Sequence, residues 1–344
     1  MRKAIHLIPF CGVGGVERAA ATMFSVRTAE LDFKVQAIFP FFATARRFGL
    51  WNPTHLLRCT YSVFKVSPDL LVVSLWRSCA VGLLVKLMRP RTCLVLFLHF
   101  PDDVHGLDRL LTRLIANFST RIWADCGETL TKRLPRPEIT KQRVISFVTE
   151  RFQALPMKAV RPAFIFWGRI HTQKGLNRAL SIFHGILARE PAARFIVIGP
   201  DGGDLARIKA IVEELRLESN VSFEGALEFS EIRKLAEQAS FYIQTSELEG
   251  MAMSVVEAMQ LGLLPVVTPV GEIKNYAQHG KNALVVTDDA TTIDDILALI
   301  QDDARYQAIR ERAVATWAHQ PLYKDSVLEA CREALAMGKT VNAA

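Results

Sequence analysis

Short runs of apolar residues alternate with amphipathic stretches along most of the chain. In the first half, near-continuous apolar runs predict β-strands at 4–8, 33–42, 70–75, 93–99 and 121–126. Strands of this composition are buried on both faces, as in a parallel sheet that helices cover. Helical patterns at 16–30 and 107–121 lie between them.

The second half repeats this alternation more regularly. Its predicted strands lie at 163–167, 193–198, 221–224, 241–244 and 264–267. Helical patterns lie at 175–189, 204–215, 230–238 and 253–261, and an alanine-rich helical tail begins near 304. Such regular alternation of strand and helix predicts a second doubly wound α/β domain.

Prolines and charged residues interrupt the pattern between 133 and 162, which is typical of an interdomain connection. We therefore predict a Rossmann-like domain at 1–160 and a second one at 161–317, with a last helix at about 318–344 that packs on the first domain. In open α/β sheets, ligands bind at the carboxyl ends of the strands. The two domains are expected to face a central cleft.

Composition restricts the class of protein. Hydrophobic residues make up 50% of the chain and charged residues 22%, as in globular proteins rather than disordered or fibrous ones. Arg77, Lys86, Arg89 and Arg91 interrupt the most apolar region, so no run approaches the ~18–20 residues of a membrane span. The six cysteines are scattered without a C-x-x-C pair, which favours reduced thiols in a cytoplasmic protein.

Charge is distributed unevenly along the chain. Residues 1–160 contain 23 lysines and arginines against 11 aspartates and glutamates, whereas residues 161–344 contain 19 against 24. The basic first half suits a polyanion or an anionic membrane surface. Nucleic acid is not expected, because no recognition helix, zinc site or aromatic ladder accompanies the charge.

A glycine-rich turn follows the first predicted strand. Gly12, Gly14 and Gly15 would let a ligand approach the backbone closely, and the amides at a helix start favour an anion. A substrate-facing loop and a simple tight turn both fit this pattern. The dinucleotide fingerprint requires a third glycine where the chain has Glu17, so a nicotinamide cofactor is disfavoured.

Two cations follow the first strand of the second domain. Arg169 and Lys174 lie in the loop predicted at the carboxyl end of strand 163–167. Cations at this position can stabilise a diphosphate whose negative charge grows as it departs. Two solvated loop charges are the alternative. No D-x-D triplet occurs in the chain, so we expect no metal ion and no other cofactor.

Two glutamates lie near the start of predicted helix 253–261. Glu249 precedes the helix and Glu257 lies about two turns inside it. Their carboxylates would be about 80° apart around the axis and about 12 Å apart along it, so they can contact different parts of one elongated ligand. This spacing excludes the close carboxylate pair of a glycosidase. A capping or ion-pair role for Glu257 is the alternative, and the amides from Gly250 to Ser254 suit a phosphate.

These motifs resemble the retaining glycosyltransferase family 4, of the glycosyl transferases group 1, whose members have the GT-B fold of two Rossmann-like domains. The matching residues follow the order and spacing of that family over 163–287. They are Gly168-Arg169, Lys174-Gly175, Gly199-Pro200-Asp201-Gly202, Phe223-Glu224-Gly225, Ser246, Glu249-Gly250, Glu257-Ala258-Met259, Gly262, Pro265-Val266-Val267 and Gly271. A weaker resemblance in the first half rests on Gly14-Gly15-Val16-Glu17-Arg18 and on His99.

The resemblance implies transfer of a hexose, with retained anomeric configuration, from a UDP- or GDP-sugar to a glycan or lipid-linked acceptor, as in bacterial surface polysaccharide synthesis. Arg169 and Lys174 would hold the donor diphosphate and Glu257 the ribose, while Glu249 and His99 would contact the donor sugar. Further donor-binding positions are Gly14 and Gly15 near the phosphates, Gly225, Ala226 and Leu227 at the base, and Gly250, Met251, Ala252, Met253 and Ser254 around the sugar and phosphates.

The chain departs from the family pattern in two segments. Met251-Ala252 stands where many members have Phe-Gly, so the shape of the sugar pocket is left open. Asp125-Cys126-Gly127-Glu128 stands where many members have a serine, and this acceptor-side position stays unassigned. A nucleotide-sugar epimerase of the same architecture and a non-catalytic sugar-nucleotide-binding protein are the alternative functions.

The helix predicted at 107–121 carries an apolar stripe at positions 107, 110, 111, 114, 115 and 118. Such a stripe usually faces the core of the protein. Together with Lys86, Arg89 and Arg91, it could instead form a basic surface that rests on anionic lipid. Peripheral contact of the first domain with the inner face of a plasma membrane is therefore a second hypothesis.

Overall fold

The chain forms two compact units in a computed structural model, which describes residues 1–10, 15–39, 53–134 and 141–341. The first unit consists of Met1–Glu150 together with Pro321–Ala344, and the second of Arg151–Gln320. Each unit contains one β-sheet whose strands are joined mainly through helices. The prediction of two parallel-sheet α/β domains is confirmed.

The first unit has a seven-stranded sheet. Its strands are β1 (Arg2–Phe10), β2 (Ser25–Arg27), β3 (Leu31–Phe39), β4 (Leu70–Ser74), β5 (Cys93–Leu98), β6 (Arg121–Ala124) and β7 (Gln142–Val144). They lie in the order β2-β3-β1-β4-β5-β6-β7, and every neighbouring pair is parallel except β2 and β3. All residues of β4 and β5 are buried, in agreement with their continuous apolar sequences.

The described helices of the first half include one that is much shorter than the pattern predicts. They are α1 (Gly15–Ala21), α2 (Pro53–Val66), α3 (Leu75–Met88), α4 (Gly106–Phe118) and α5 (Gly127–Arg133). The helix predicted at 16–30 ends at Ala21, and the residues of β2 pair with β3 instead. Met23 is fully buried in the turn between them. Burial of this side chain and hydrogen bonding to the sheet edge outweigh the weak helical preference of the segment.

The second unit has a six-stranded sheet in which all neighbours are parallel. Its strands are β8 (Ala163–Trp167), β9 (Arg194–Ile198), β10 (Val221–Gly225), β11 (Phe241–Gln244), β12 (Leu264–Val267) and β13 (Leu284–Val285). Its helices are α6 (Leu176–Leu187), α7 (Leu205–Glu214), α8 (Phe229–Ala236), α9 (Met253–Leu261), α10 (Ile273–Tyr276), α11 (Asp289–Gln301) and α12 (Asp303–Trp317). The strands and helices predicted between 163 and 267 all occur.

The strand order of this second sheet changes direction next to β8. The order is β10-β9-β8-β11-β12-β13, so the chain first adds β9 and β10 on one side of β8 and then places β11 on its other side. A reversal of this kind is a topological switch point, and in open α/β sheets ligands bind beyond the carboxyl ends of the strands at that point. A ligand site is therefore expected in the loops after β8 and β11.

A last helix, α13 (Tyr323–Val341), belongs to the first unit. The backbone amide of Tyr323 donates to the Val148 carbonyl at 2.7 Å. Arg2 Nη1 donates to the Leu335 carbonyl at 3.1 Å. These hydrogen bonds join the end of the chain to its first half.

Two features are absent from the residues that the structure describes. No helix there is both long and apolar enough to cross a membrane. Nor do three or more His, Cys, Asp or Glu side chains cluster there as the ligands of a metal ion would.

Candidate active site

The loops after β8 and β11 pack tightly against each other at the switch point. Gly175 has a left-handed φ of +63°, and a Cβ at this position would overlap with the Thr245 carbonyl. Thr245 Oγ1 in turn donates to the Gly175 carbonyl at 2.7 Å. Gln173 adds two hydrogen bonds, because its carbonyl accepts from the Glu247 amide at 2.9 Å and its Nε2 donates to the Leu248 carbonyl at 2.7 Å. The two loops thus form one surface.

Lys174 and Glu249 meet on this surface, although they are 75 positions apart in the sequence. Lys174 Nζ donates to Glu249 Oε1 at 2.7 Å, and only 17% of the lysine side chain and 7% of the glutamate side chain are exposed. Solvent and salt screen such a pair less than a surface ion pair. Because removal of either partner would leave the other charge poorly solvated, the two residues act as a unit.

Two neutral groups complete the environment of the Glu249 carboxylate. Gln244 Nε2 donates to Oε1 at 2.9 Å, and Ser246 Oγ donates to the same oxygen at 2.7 Å. With Lys174, three donors therefore converge on one carboxylate oxygen. Hydrogen bonds from three directions hold the carboxylate in a single orientation.

Helix α10 and the residue before it hold the segment between Glu249 and α9 through two hydrogen bonds. The Gly250 carbonyl accepts from the Glu272 amide at 3.0 Å, and the Met251 carbonyl accepts from Tyr276 Oη at 3.2 Å. Ala252 has a left-handed φ of +55°, which is uncommon for a residue with a Cβ. Gly250 and Ala252 are buried, while Met251, Met253 and Ser254 are half-buried. The side chains of Met251, Met253 and Ser254 are therefore partly accessible around the start of α9, at the edge of the sheet.

Glu257 lies deeper in the second unit than Glu249 does. It is 2% exposed, and its Oε2 accepts a hydrogen bond from Trp167 Nε1 at 2.9 Å. Trp167 is the last residue of β8, so this bond joins α9 to a central strand of the sheet. The indole N–H orients the Glu257 carboxylate.

The remaining predicted donor-binding residues of the second unit lie at the same edge of the sheet. Arg169 is exposed after β8, and a Cβ on Gly202 would crowd its Cγ at 2.6 Å. Within the described part of the chain, no hydrogen bond or ion pair engages the Arg169 guanidinium. Gly225 ends β10, where its carbonyl accepts from the Gly199 amide at 2.7 Å. Ala226 and Leu227 follow it, the first exposed and the second half-buried.

His99 belongs to a buried polar group in the first unit. Its Nε2 is 2.8 Å from Ser74 Oγ, and the Nε2 of His6 is 2.7 Å from the same hydroxyl. Burial, followed by the neighbouring His6, holds the pKa of His99 well below 6.5, and burial lowers the pKa of His6 to about 3. Both imidazoles are therefore neutral near pH 7. The three residues lie at the ends of β4 and β5 and within β1.

The predicted glycine turn lies mostly outside the described residues. Gly12 and Gly14 fall in the segment that is not described, and Gly15 is the first residue of α1.

Several residues of the site were missed by sequence reasoning. Trp167, Tyr242 and Gln244 in the second unit, and His6 and Ser74 in the first, all contact predicted site residues directly or through one neighbour. One signal was available: a glutamine ends the otherwise apolar, fully buried strand β11. A buried amide needs hydrogen-bond partners, and these had to come from the adjoining loop.

The second unit matches a known family. The sequence profile of the family described as "Glycosyl transferases group 1" matches residues 148–315, which include all the site residues of the second unit. This segment belongs to the group 1 glycosyltransferases. The resemblance to this family that the sequence motifs indicate is thereby confirmed.

Curated relatives match about half of the chain or less. A GDP-mannose:cellobiosyl-diphosphopolyprenol alpha-mannosyltransferase of Xanthomonas campestris is 27% identical over 179 residues, which are 51% of this chain and 46% of that protein. Mannosylfructose-phosphate synthase of Agrobacterium fabrum is 30% identical over 124 residues, 34% of this chain and 27% of that protein. The matched stretch thus spans less than half the length of these relatives.

Solved structures resemble the chain over nearly its whole length. HepE of Anabaena, solved in complex with UDP, has a TM-score of 0.76 at 16% identity and covers 97% of this chain and 99% of its own. TarM of S. aureus has a TM-score of 0.69 at 17% identity, covering 82% and 58%. At these identities the similarity concerns the fold alone, and the predicted GT-B fold is confirmed.

Proposed function

We propose that the protein is a retaining, metal-independent hexosyltransferase that uses a nucleotide diphosphate sugar as donor. The observation that carries this proposal is the Lys174–Glu249 pair at the switch point of the second sheet, inside the segment that matches the family. A cation and a carboxylate lie there side by side, in a position where open α/β sheets bind ligands. This is the arrangement that a charged leaving group attached to a polyhydroxylated ring requires.

In the proposed reaction, Arg169 and Lys174 stabilise the diphosphate as it leaves. The bond between the anomeric carbon and the diphosphate oxygen breaks, and the acceptor hydroxyl attacks the same face of the sugar. Its proton passes to a donor phosphate oxygen, so that the products are the glycosylated acceptor and the nucleoside diphosphate. The positive charges take the part that a divalent ion has in enzymes with a D-x-D motif. Glu249 and His99 bind sugar hydroxyls, and Glu257 binds the ribose.

The donor and acceptor classes are proposed from the relatives. One relative is named as a GDP-mannose enzyme with a diphosphopolyprenol acceptor, and HepE was solved in complex with UDP-glucose. We therefore infer a UDP- or GDP-hexose donor and a glycan or lipid-linked acceptor, in the synthesis of a bacterial surface polysaccharide. We place the reaction in the cytoplasm, which the buried free thiols of Cys59, Cys79, Cys93, Cys126 and Cys331 favour.

A thermal-shift screen tests the donor class. Wild-type protein is heated with UDP-, GDP- and ADP-sugars and, for comparison, with NAD. A ligand that binds only the native state stabilises it by about 2.7 kcal/mol at 100 times its Kd, so the true donor raises the unfolding midpoint by several degrees. Glu257→Gln should reduce this shift. A midpoint raised by NAD and by no nucleotide sugar would refute the proposal.

The first unit carries an exposed apolar surface that suits a membrane. Leu107, Leu110, Leu114 and Phe118 of α4 are between 37% and 55% exposed. The apolar stripe of α4 would usually face the core. It does so only along the side of the helix that carries Ile115, which is fully buried. Since α4 lies on the sheet through that narrow face, its four exposed apolar residues point towards solvent.

The neighbouring helix α3 also exposes apolar side chains. A Cβ on Gly82 of α3 would lie 3.1 Å from Ile115 Cδ1, which shows how closely the two helices pack. Leu84, Leu87 and Met88 of α3 are likewise 41% to 61% exposed. We define these three residues and the four of α4 as the leucine surface.

Basic residues accompany the leucine surface. Arg113 of α4 and Arg91 beyond the end of α3 are exposed. Arg109 of α4 is exposed as well, and its Nε lies 2.5 Å from Asp103 Oδ2 in an ion pair. An apolar face bordered by arginines is typical of helices that lie in the interface of an anionic bilayer. We propose that the leucine surface docks on anionic lipid, where a lipid-linked acceptor would be found.

Vesicle sedimentation tests the docking proposal. The protein should sediment with vesicles that contain phosphatidylglycerol and much less with phosphatidylcholine alone. Leu110→Glu combined with Leu114→Glu should weaken binding about tenfold or more, since each leucine loses apolar burial. Leu57→Glu with Tyr61→Glu is the matched control, because these α2 residues are 62% and 65% exposed but lie outside the leucine surface. Equal loss in both variants, or a dimer that only the first variant dissociates, would overturn the proposal.

A further inference from the structure

Gln244 occupies an unusual position for an amide. It is the last residue of β11 and is completely buried behind the Lys174–Glu249 pair. Its Oε1 accepts from Tyr242 Oη at 2.6 Å and from Ser254 Oγ at 2.8 Å, and its Nε2 donates to Glu249 Oε1 at 2.9 Å. A hydrogen-bond chain therefore runs from Tyr242 and Ser254 through Gln244 to Glu249.

The partners of Gln244 permit only one orientation of its amide group. If the group were flipped, its oxygen would lie 2.9 Å from the Glu249 carboxylate, where two acceptors repel each other. In the observed orientation, two hydroxyl donors face the amide oxygen and the carboxylate faces the amide nitrogen. The hydrogen bonds are therefore all donated in one direction, from the two hydroxyls through Gln244 to the Glu249 carboxylate.

Tyr242 is the first donor of this hydrogen-bond chain, and its surroundings keep its hydroxyl protonated. It is completely buried, and its ring packs against Trp167 with the ring centroids 4.5 Å apart. Burial, together with the negative charges of Glu249 and Glu257, raises the pKa of Tyr242 well above 10. The phenol therefore keeps its proton near neutral pH.

The hydrogen-bond chain ends on Oε1 of Glu249, which leaves Oε2 for a ligand. Lys174, Gln244 and Ser246 all donate to Oε1. Among the residues that the structure describes, no hydrogen bond reaches Oε2. A carboxylate held through one oxygen presents the second in a defined direction.

We infer that Tyr242 and Gln244 are positioning residues that hold Glu249 so that its Oε2 receives a hydroxyl group of the donor sugar. The inference rests on the proposed function, in which Glu249 contacts that sugar. Neither residue touches the substrate. Their contribution is to fix the acceptor oxygen before the donor arrives, which avoids a reorganisation cost on binding.

Tyr242→Phe is the mildest test, since it removes one hydroxyl and keeps the ring. Tyr306→Phe is the matched control: Tyr306 is also a buried tyrosine of the second unit, and its Oη donates to the Ser240 carbonyl at 2.8 Å, away from Glu249. The Tyr242 hydroxyl donates to Gln244 Oε1 at 2.6 Å and also lies 3.2 Å from the Trp167 carbonyl, its longer contact. Its loss should lower kcat/KM for the donor about fivefold to tenfold in Tyr242→Phe. Tyr306→Phe should retain the wild-type value, while both variants lose similar thermal stability.

A second variant gives a readout that a purely structural role would not move. Gln244→Glu places a carboxyl group beside Glu249, and the other charged or titratable groups around it are Lys174, Glu257 and Tyr242. As pH falls, a proton shared between the two carboxyls restores the lost hydrogen bond. The ratio of variant to wild-type kcat/KM should therefore rise towards acidic pH.

The outcomes separate this inference from the proposed function. If wild-type protein transfers a hexose but Tyr242→Phe and Tyr306→Phe have equal kcat/KM, the positioning role is wrong and the function stands. A pH-independent ratio for Gln244→Glu would also overturn it. If the wild-type protein neither binds nor turns over any nucleotide sugar, the proposed function itself fails.

Discussion

Replacing Lys174 by alanine should lower the turnover of the sugar donor by about 10²–10³-fold, as the loss of one preorganised electrostatic group typically does. In the described part of the second unit, Lys174 is the only residue shown to join the loop after β8 to the Glu249 carboxylate through an ion pair. Its removal takes a positive charge from the departing diphosphate and leaves a buried carboxylate without its cation. Turnover is measured as release of nucleoside diphosphate from the donor found in the thermal-shift screen.

The control for this prediction is Arg189→Ala. Arg189 forms an ion pair with Asp294 in the same unit, but both side chains are more than half exposed. Exposed pairs contribute about 0–1 kcal/mol, so this variant should keep wild-type turnover and stability. Glu249→Ala should resemble Lys174→Ala. Near wild-type rates in both site variants, with folding verified by circular dichroism, would show that the site has been placed wrongly.

Replacing Gly175 by alanine should strongly destabilise the second unit. A Cβ there would overlap with the Thr245 carbonyl, and the left-handed φ of +63° adds strain. The loops after β8 and β11 would have to separate, which breaks the contacts of Gln173 and Thr245 as well. We expect a loss of more than about 4 kcal/mol, among the largest effects of single substitutions. The thermal midpoint should fall by about 10 °C or more.

Gly280→Ala distinguishes overlap from backbone strain. Gly280 has nearly the same φ, +67°, but nothing lies within 4 Å of the Cβ that an alanine would add. This variant should therefore lose only the ~1–2 kcal/mol of left-handed strain. A calorimetric scan of both variants beside wild type makes the comparison. Equal destabilisation would mean that the two loops do not need the close approach at Gly175.

The strands and helices of the second unit could be predicted from sequence because each has a local cause. Strands such as β8 and β11 are short apolar runs buried on both faces, and the glycines and polar loops that follow them mark their ends. Lys174 and Glu249 could be predicted as site residues for the same reason, since both lie just beyond such strands. Local pattern therefore sufficed for the fold class and for the main candidates.

Other features depended on contacts between distant segments. The residues from Ser25 to Arg27 carry no strong strand signal, yet they pair with β3 because its outer edge is open to them. The apolar stripe of α4 has the right spacing for a core-facing helix, but Ile115 alone is completely buried. Periodicity shows that one face of a helix is apolar. It does not show how much of that face the neighbouring elements cover.

By itself, the sequence determined two parallel α/β domains, a family resemblance and the loops in which the site lies, because apolar periodicity and glycine positions are local properties. Only the tertiary structure decided that Lys174 pairs with Glu249, that Trp167 orients Glu257, and that Tyr242 and Gln244 form a hydrogen-bond chain. These pairs depend on the order of strands in the sheet. Hydrogen bonds form at about 3 Å, and no distance along the chain predicts which side chains the folded backbone brings that close.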